Sequence, residues 1–116
     1  MKKLIFAILT LLFVGHADAQ TPPALPKLME LGSTTCIPCK MMAPILEDFK
    51  KTRAHEFETV FLDVKQEPKK AAPYKIAIIP TQIFFDKTGK ELFQHEGFFS
   101  KKDILKKWRE LGYDFK

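Results

Sequence analysis

The chain has 116 residues, a length that accommodates one domain. Hydrophobic residues make up 46% of it, enough to build a core, and there is no low-complexity tract or internal repeat. Its net charge of +5 comes from basic residues mixed with acidic ones, as at Glu47, Asp48, Lys50 and Lys51. A nucleic-acid role needs a clustered basic face, so none is expected.

Residues 1–19 carry the signature of a secretory signal. Met1-Lys2-Lys3 is basic, Leu4 to Val14 is apolar except for Thr10, and Ala17-Asp18-Ala19 is a small-x-small cleavage pattern ahead of Gln20. The apolar run is shorter than the roughly 20 residues that span a bilayer as a helix. The expectation is a cleaved signal peptide at 1–19 and an exported, periplasmic-type protein; an uncleaved anchor is the alternative. Residues 20–26 hold three prolines and read as an extended leader, followed by a domain over 27–116.

Lys27 to Gly32 reads as the first strand, apolar on both faces and therefore central, with Glu30 as an unusual buried acid. Ile37 to about Ala54 reads as a helix whose apolar stripe comprises Met41, Met42, Ile45, Leu46 and Phe49, with Pro44 inside it. Glu58 to Val64 alternates as a second strand. Pro68 to Tyr74 allows one helical turn and a loop. Thr81 to Phe85 is a third strand, joined through a turn at Asp86 to Lys90 to an edge strand over Glu91 to Glu96, which Gly97 ends. Ser100 caps a last helix whose apolar face is Ile104, Leu105, Trp108 and Leu111, and Gly112 stops it. The result is an α/β fold, β-α-β-(turn)-β-β-α, with a mixed four-stranded sheet flanked by helices, one on each face.

The only two cysteines are Cys36 and Cys39, separated by Ile37 and Pro38 and followed by Lys40. A cysteine at a helix start sits beside unpaired backbone N–H groups, which stabilise a thiolate, and a second cysteine one turn on can close a disulfide with it. Three readings are open: a redox dithiol, a structural disulfide and a metal site. A bridge across so short a loop constrains the unfolded chain little, which disfavours the second. Tetrahedral zinc needs about four ligands; beyond the two cysteines only the distant His55 and His95 are available, so no metal or other cofactor is expected.

Element order and motifs together resemble the thioredoxin family. The residues carrying the resemblance are Cys36 to Pro44, Tyr74 to Thr81, and the hairpin of Phe84-Phe85-Asp86, Gly89-Lys90 and Gly97. The resemblance implies a minimal thioredoxin fold and a thiol–disulfide oxidoreductase. Cys36 is then the nucleophile, Cys39 resolves the mixed disulfide, and the pair forms a Cys36–Cys39 disulfide. Glu30 takes the place of the family's buried Asp and becomes a proton carrier. Pro80 is implied to be cis, turning the Ile79 and Thr81 backbone towards Cys36 for client binding. Ile37, Pro38, Lys40 and Gly97 surround the site. Phe98-Phe99 is read as core or as an apolar lip, and Met41-Met42 as core. Thr35 stands where the family carries Trp, and Phe61 where a Lys often faces the buried acid. Pro38, and the lack of His between the cysteines, imply the reducing direction, with an oxidase or isomerase as the alternative. A non-catalytic binding module is the alternative of another class. The implied partners are client proteins with disulfides or thiols and a membrane-embedded electron donor, with the protein acting as a monomer.

Overall fold

The computed structural model describes residues 24–116 and the isolated Gly15. The expected signal peptide, and residues 20–23 of the leader, lie outside the described residues. The elements are β1 (Lys27–Gly32), α1 (Ile37–Thr52), β2 (Glu58–Asp63), α2 (Pro68–Ala71), a 3-10 turn (Ala72–Tyr74), β3 (Thr81–Phe85), β4 (Glu91–Glu96) and α3 (Lys101–Glu110). This is the element order expected from the sequence. α1 stops two residues short of Ala54, where the Arg53 N–H closes on the Phe49 carbonyl.

The sheet order is β2-β1-β3-β4. β1 runs parallel to β2 and antiparallel to β3, and β3 pairs antiparallel with β4. β1 is therefore central and β4 an edge, as its apolar–polar alternation predicts. Gly89, at φ 89°, supplies the left-handed residue of the β3–β4 turn.

Alternation divides β1 between two cores. Leu28 faces Met42, Leu46 and Phe49 of α1, and Ile104 and Trp108 of α3. Met29 and Leu31 face Leu62, Ala71, Ile83 and Phe85 on the other side. Both long helices thus share one face instead of taking one face each, because Leu28 meets side chains of both, and the short α2 with its 3-10 turn covers the opposite face. The larger core is aromatic: the Trp108 ring lies 4.8 Å from Phe84 and 5.3 Å from Phe57, centroid to centroid. Buried rings of this kind are large apolar groups, and each such pair adds about 0.5–1.5 kcal/mol beyond its area burial.

The expected apolar stripe of α1 needs one correction. Met42 is buried, whereas Met41 is exposed. Each residue turns the helix by about 100°. A stripe centred on Met42, Leu46 and Phe49 therefore carries Met41 round to solvent.

Candidate active site

The site is built where β1 hands over to α1. Ser33, Thr34 and Thr35 form a turn in which the Thr35 N–H donates to Ser33 Oγ at 3.2 Å. The Thr35 hydroxyl lies 3.0 Å from Ser33 Oγ and accepts from Lys65 Nζ at 2.8 Å, tying the turn to the end of β2. Cys36 then caps α1: its backbone is extended and its Sγ accepts the Cys39 N–H at 3.3 Å. Pro38 sits in the first turn, where the lack of an N–H costs nothing.

Cys36 and Cys39 are joined as a disulfide, with Cα atoms 5.1 Å apart. The two sulfurs occupy different surroundings. Cys36 is half-buried at the helix tip, and its Sγ lies 4.0 Å from the Ile79 carbonyl oxygen. Cys39 is buried against β1. A Cβ placed on Gly32 would stand 3.2 Å from Cys39 Sγ and 3.1 Å from the Phe61 ring. Gly32 thus makes the room that Cys39 occupies, a role that strand periodicity alone did not reveal.

Glu30 lies beneath this pair on the face that carries α1. It is fully buried. Gln82 Nε2 donates to its Oε1 at 3.0 Å, and its Oε2 has no partner. Burial pushes its carboxyl up to about 7, against the opposing pull of the Gln82 hydrogen bond. The residue facing it from β2 is the uncharged Phe61, so no cation on that strand offsets the desolvation. A cleft of about 390 Å³ runs from solvent past Lys40, Glu47 and Lys50 to Cys39, Phe61 and Glu30.

The second wall comes from the segment before β3. The Ile79–Pro80 peptide bond is cis. The Gly97 N–H donates to the Pro80 carbonyl at 2.7 Å, so the residue that ends β4 also holds this loop. Thr81 does not fit the expected place. It is fully buried, and its backbone is bracketed by Leu31 of β1 and Glu96 of β4 rather than open to a client strand. Its hydroxyl donates to the Ile78 carbonyl, so it braces the loop from behind. Ile37, between the two cysteines in sequence, and Ile78, next to Ile79, are exposed. Phe98 is exposed as well, whereas its neighbour Phe99 packs on the core, so the two readings of that pair divide between its members.

Residues 20–110 match the family described as Thioredoxin. The chain belongs to the thioredoxin family. It is 37% identical to a thioredoxin of Staphylococcus epidermidis over 78 residues, which cover 67% of this chain and 74% of that protein. It is likewise 37% identical to a thioredoxin of Mycobacterium tuberculosis over 87 residues, 75% of this chain and 72% of that protein. With its Cys36–Cys39 pair at the start of α1, this family member is a thiol–disulfide oxidoreductase.

Two residues near the thioredoxin-type centre escaped sequence reasoning besides Gly32. Gln82 is fully buried in an otherwise largely apolar strand, and His95 contacts it from β4. The signal was present: an amide in the run Thr81 to Phe85 has to find partners if that strand is internal.

Proposed function

We propose that this thioredoxin-family oxidoreductase is exported and reduces disulfides of client proteins outside the cytoplasm, acting as a monomer. The observation that carries the redox reading is the asymmetry of the pair. Cys36 is the more exposed sulfur at the α1 N-terminus, where N–H groups favour its thiolate, and Cys39 is buried and shares a cleft with an acid whose carboxyl burial pushes up to about 7.

In the reduced protein the Cys36 thiolate attacks one sulfur of a client disulfide. A Cys36–client disulfide forms and the other client sulfur leaves as a thiolate. Cys39 then gives its proton to the Glu30 carboxylate and attacks Cys36 Sγ. The Cys36–Cys39 disulfide forms, the second client sulfur departs, and two electrons have passed to the client. Ile79 offers the edge against which the client lies, with the buried Pro80 and Thr81, and Gly97, holding that edge in place. Ile37 (73% exposed), Met41, Ile78 and Phe98 are large apolar side chains left in solvent, suited to contact with an unfolded segment. Lys40 adds positive charge at the cleft, and Pro38 fixes the first turn between the sulfurs.

The export reading rests on residues 1–19, which the family match leaves out. Outside the cytoplasm the dithiol has to be recharged, and a membrane-embedded dithiol donor is the class of partner that would do so. Cys39→Ser is the direct test. The variant should accumulate mixed disulfides with clients, whereas Cys36→Ser should form none. A folded Cys39→Ser that traps nothing would leave only the binding-module reading. A measured potential near that of strong oxidants, rather than near about −270 mV, would reverse the direction. Intact mass of exported protein that still includes residues 1–19 would remove cleavage.

A further inference from the structure

One row of side chains crosses the sheet beneath α1. The register sets Phe61 of β2, Glu30 of β1, Gln82 of β3 and His95 of β4 side by side. The Gln82 amide is fully engaged there. Its Nε2 donates to Glu30 Oε1 at 3.0 Å and to the Gly97 carbonyl at 3.1 Å, which uses both hydrogens. Its Oε1 lies 2.9 Å from His95 Nδ1. An amide oxygen only accepts, so His95 Nδ1 carries the hydrogen of that bond. Reversing the amide would set its oxygen against the Gly97 carbonyl oxygen, which has nothing to donate. The Gly97 carbonyl therefore fixes the orientation.

His95 is itself held. Its ring stacks on Phe99 with centroids 3.9 Å apart and planes 12° apart, and the Phe99 N–H donates to Met42 Sδ at 3.4 Å. Burying an amide this completely costs free energy that an apolar side chain at the same place would not incur. The packing of β3 thus gives no reason for Gln82. The carboxyl beside it does. Gln82 donates to Glu30 Oε1 whether that acid is charged or neutral, so the proton resides on Oε2, the oxygen without a partner. Glu30 and Cys39 line the same cleft.

We propose that Gln82 is a positioning residue for proton transfer between Glu30 and Cys39, with His95 as the brace that orients its amide. The proposal rests on the reading of Glu30 as the proton carrier. Besides Cys39, the ionisable groups around Glu30 are Lys40, Glu47 and Lys50 of α1, at the cleft, and His95 across the sheet. β2 contributes only Phe61, so Gln82 is the one direct hydrogen bond to the carboxyl among the described residues. That bond favours the charged form. Its loss leaves burial unopposed.

The test pairs two readouts in Gln82→Leu, His95→Phe and His95→Gln. One is the Glu30 carboxyl titration, followed by carbon-13 NMR in the oxidised protein. The other is the pH dependence of the rate of protein-disulfide reduction. In Gln82→Leu the carboxyl should titrate about one pH unit higher, since a hydrogen bond to a charged group is worth about that much. The limb of the rate profile that tracks Glu30 should move with it. His95→Phe keeps the stack on Phe99 but removes the donor, so both readouts should move the same way by less. His95→Gln restores an N–H donor and should return both towards wild type. A folded Gln82→Leu with an unchanged carboxyl titration overturns the proposal, as does a carboxyl shift without a rate shift. If Gln82→Leu does not fold, the half-buried edge position of His95 carries the test by the same criteria. The carrier reading fails separately: a Glu30→Gln rate profile that coincides with wild type removes it, whatever Gln82 does.

Discussion

At the scale of single residues, the site depends on what surrounds one acid and one sulfur. Glu30 is buried with no cation from β2, so its folded-state carboxyl lies at about 7 against an ordinary 4.5. The folded state then holds the proton more tightly than the unfolded one. Between those two values stability falls as pH rises, by about 3 kcal/mol as an upper bound. Urea midpoints of wild type and Glu30→Gln should therefore lie close together below pH 4.5 and diverge towards pH 7, with the Gln variant the more stable. Parallel midpoints across that range would mean that the acid is not desolvated. Gly32→Ala probes the sulfur. The added methyl would press on Cys39 Sγ and Phe61. Overpacking costs about 1–3 kcal/mol, whereas the entropic gain from replacing glycine is about 0.4–1 kcal/mol, so the net effect should be a loss of stability. A stability equal to or above wild type, measured by denaturant unfolding, would contradict this packing.

At the scale of elements, each helix end has a separate task. The start of α1 holds the redox pair, and Cys36 is both its cap and the more exposed of the two sulfurs. The start of α3 is a capped helix end. Ser100 Oγ accepts the Asp103 N–H at 3.1 Å, and Asp103 places negative charge in the first turn. Ser100→Ala should cost about 1 kcal/mol in thermal or urea unfolding and leave disulfide reduction unchanged. An activity change of the same variant would mean that α3 is coupled to the centre. The capping serine and the stop at Gly112 were legible in the sequence because capping is local chemistry. The outward turn of Met41 was not. Two adjacent methionines satisfy the same apolar pattern, and only the position of the sheet decides which one it covers.

At the scale of the whole molecule, Trp108 is the hub through which α3 closes the larger core. It meets Phe57, Phe84, Tyr113 and Phe115, and so joins β3, α3 and the C-terminal residues. Trp108→Ala should cost about 3–5 kcal/mol, a large share of a total stability of about 5–15 kcal/mol. A urea midpoint within error of wild type would show that the C-terminal elements contribute little.

The sequence by itself determined the element order, the central place of β1, the redox pair at a helix start and the candidacy of Glu30. Each follows from local periodicity, capping or spacing, or from motifs close together along the chain. Tertiary structure alone decided that both long helices share one face and that Thr81 is buried between β1 and β4. It also decided that Gly32 makes room for Cys39, and that Gln82 and His95 complete the surroundings of Glu30. These depend on register between strands far apart in the chain. Glu30 and Gln82 are 52 positions apart, and only the pairing of β1 with β3 brings them within a hydrogen bond.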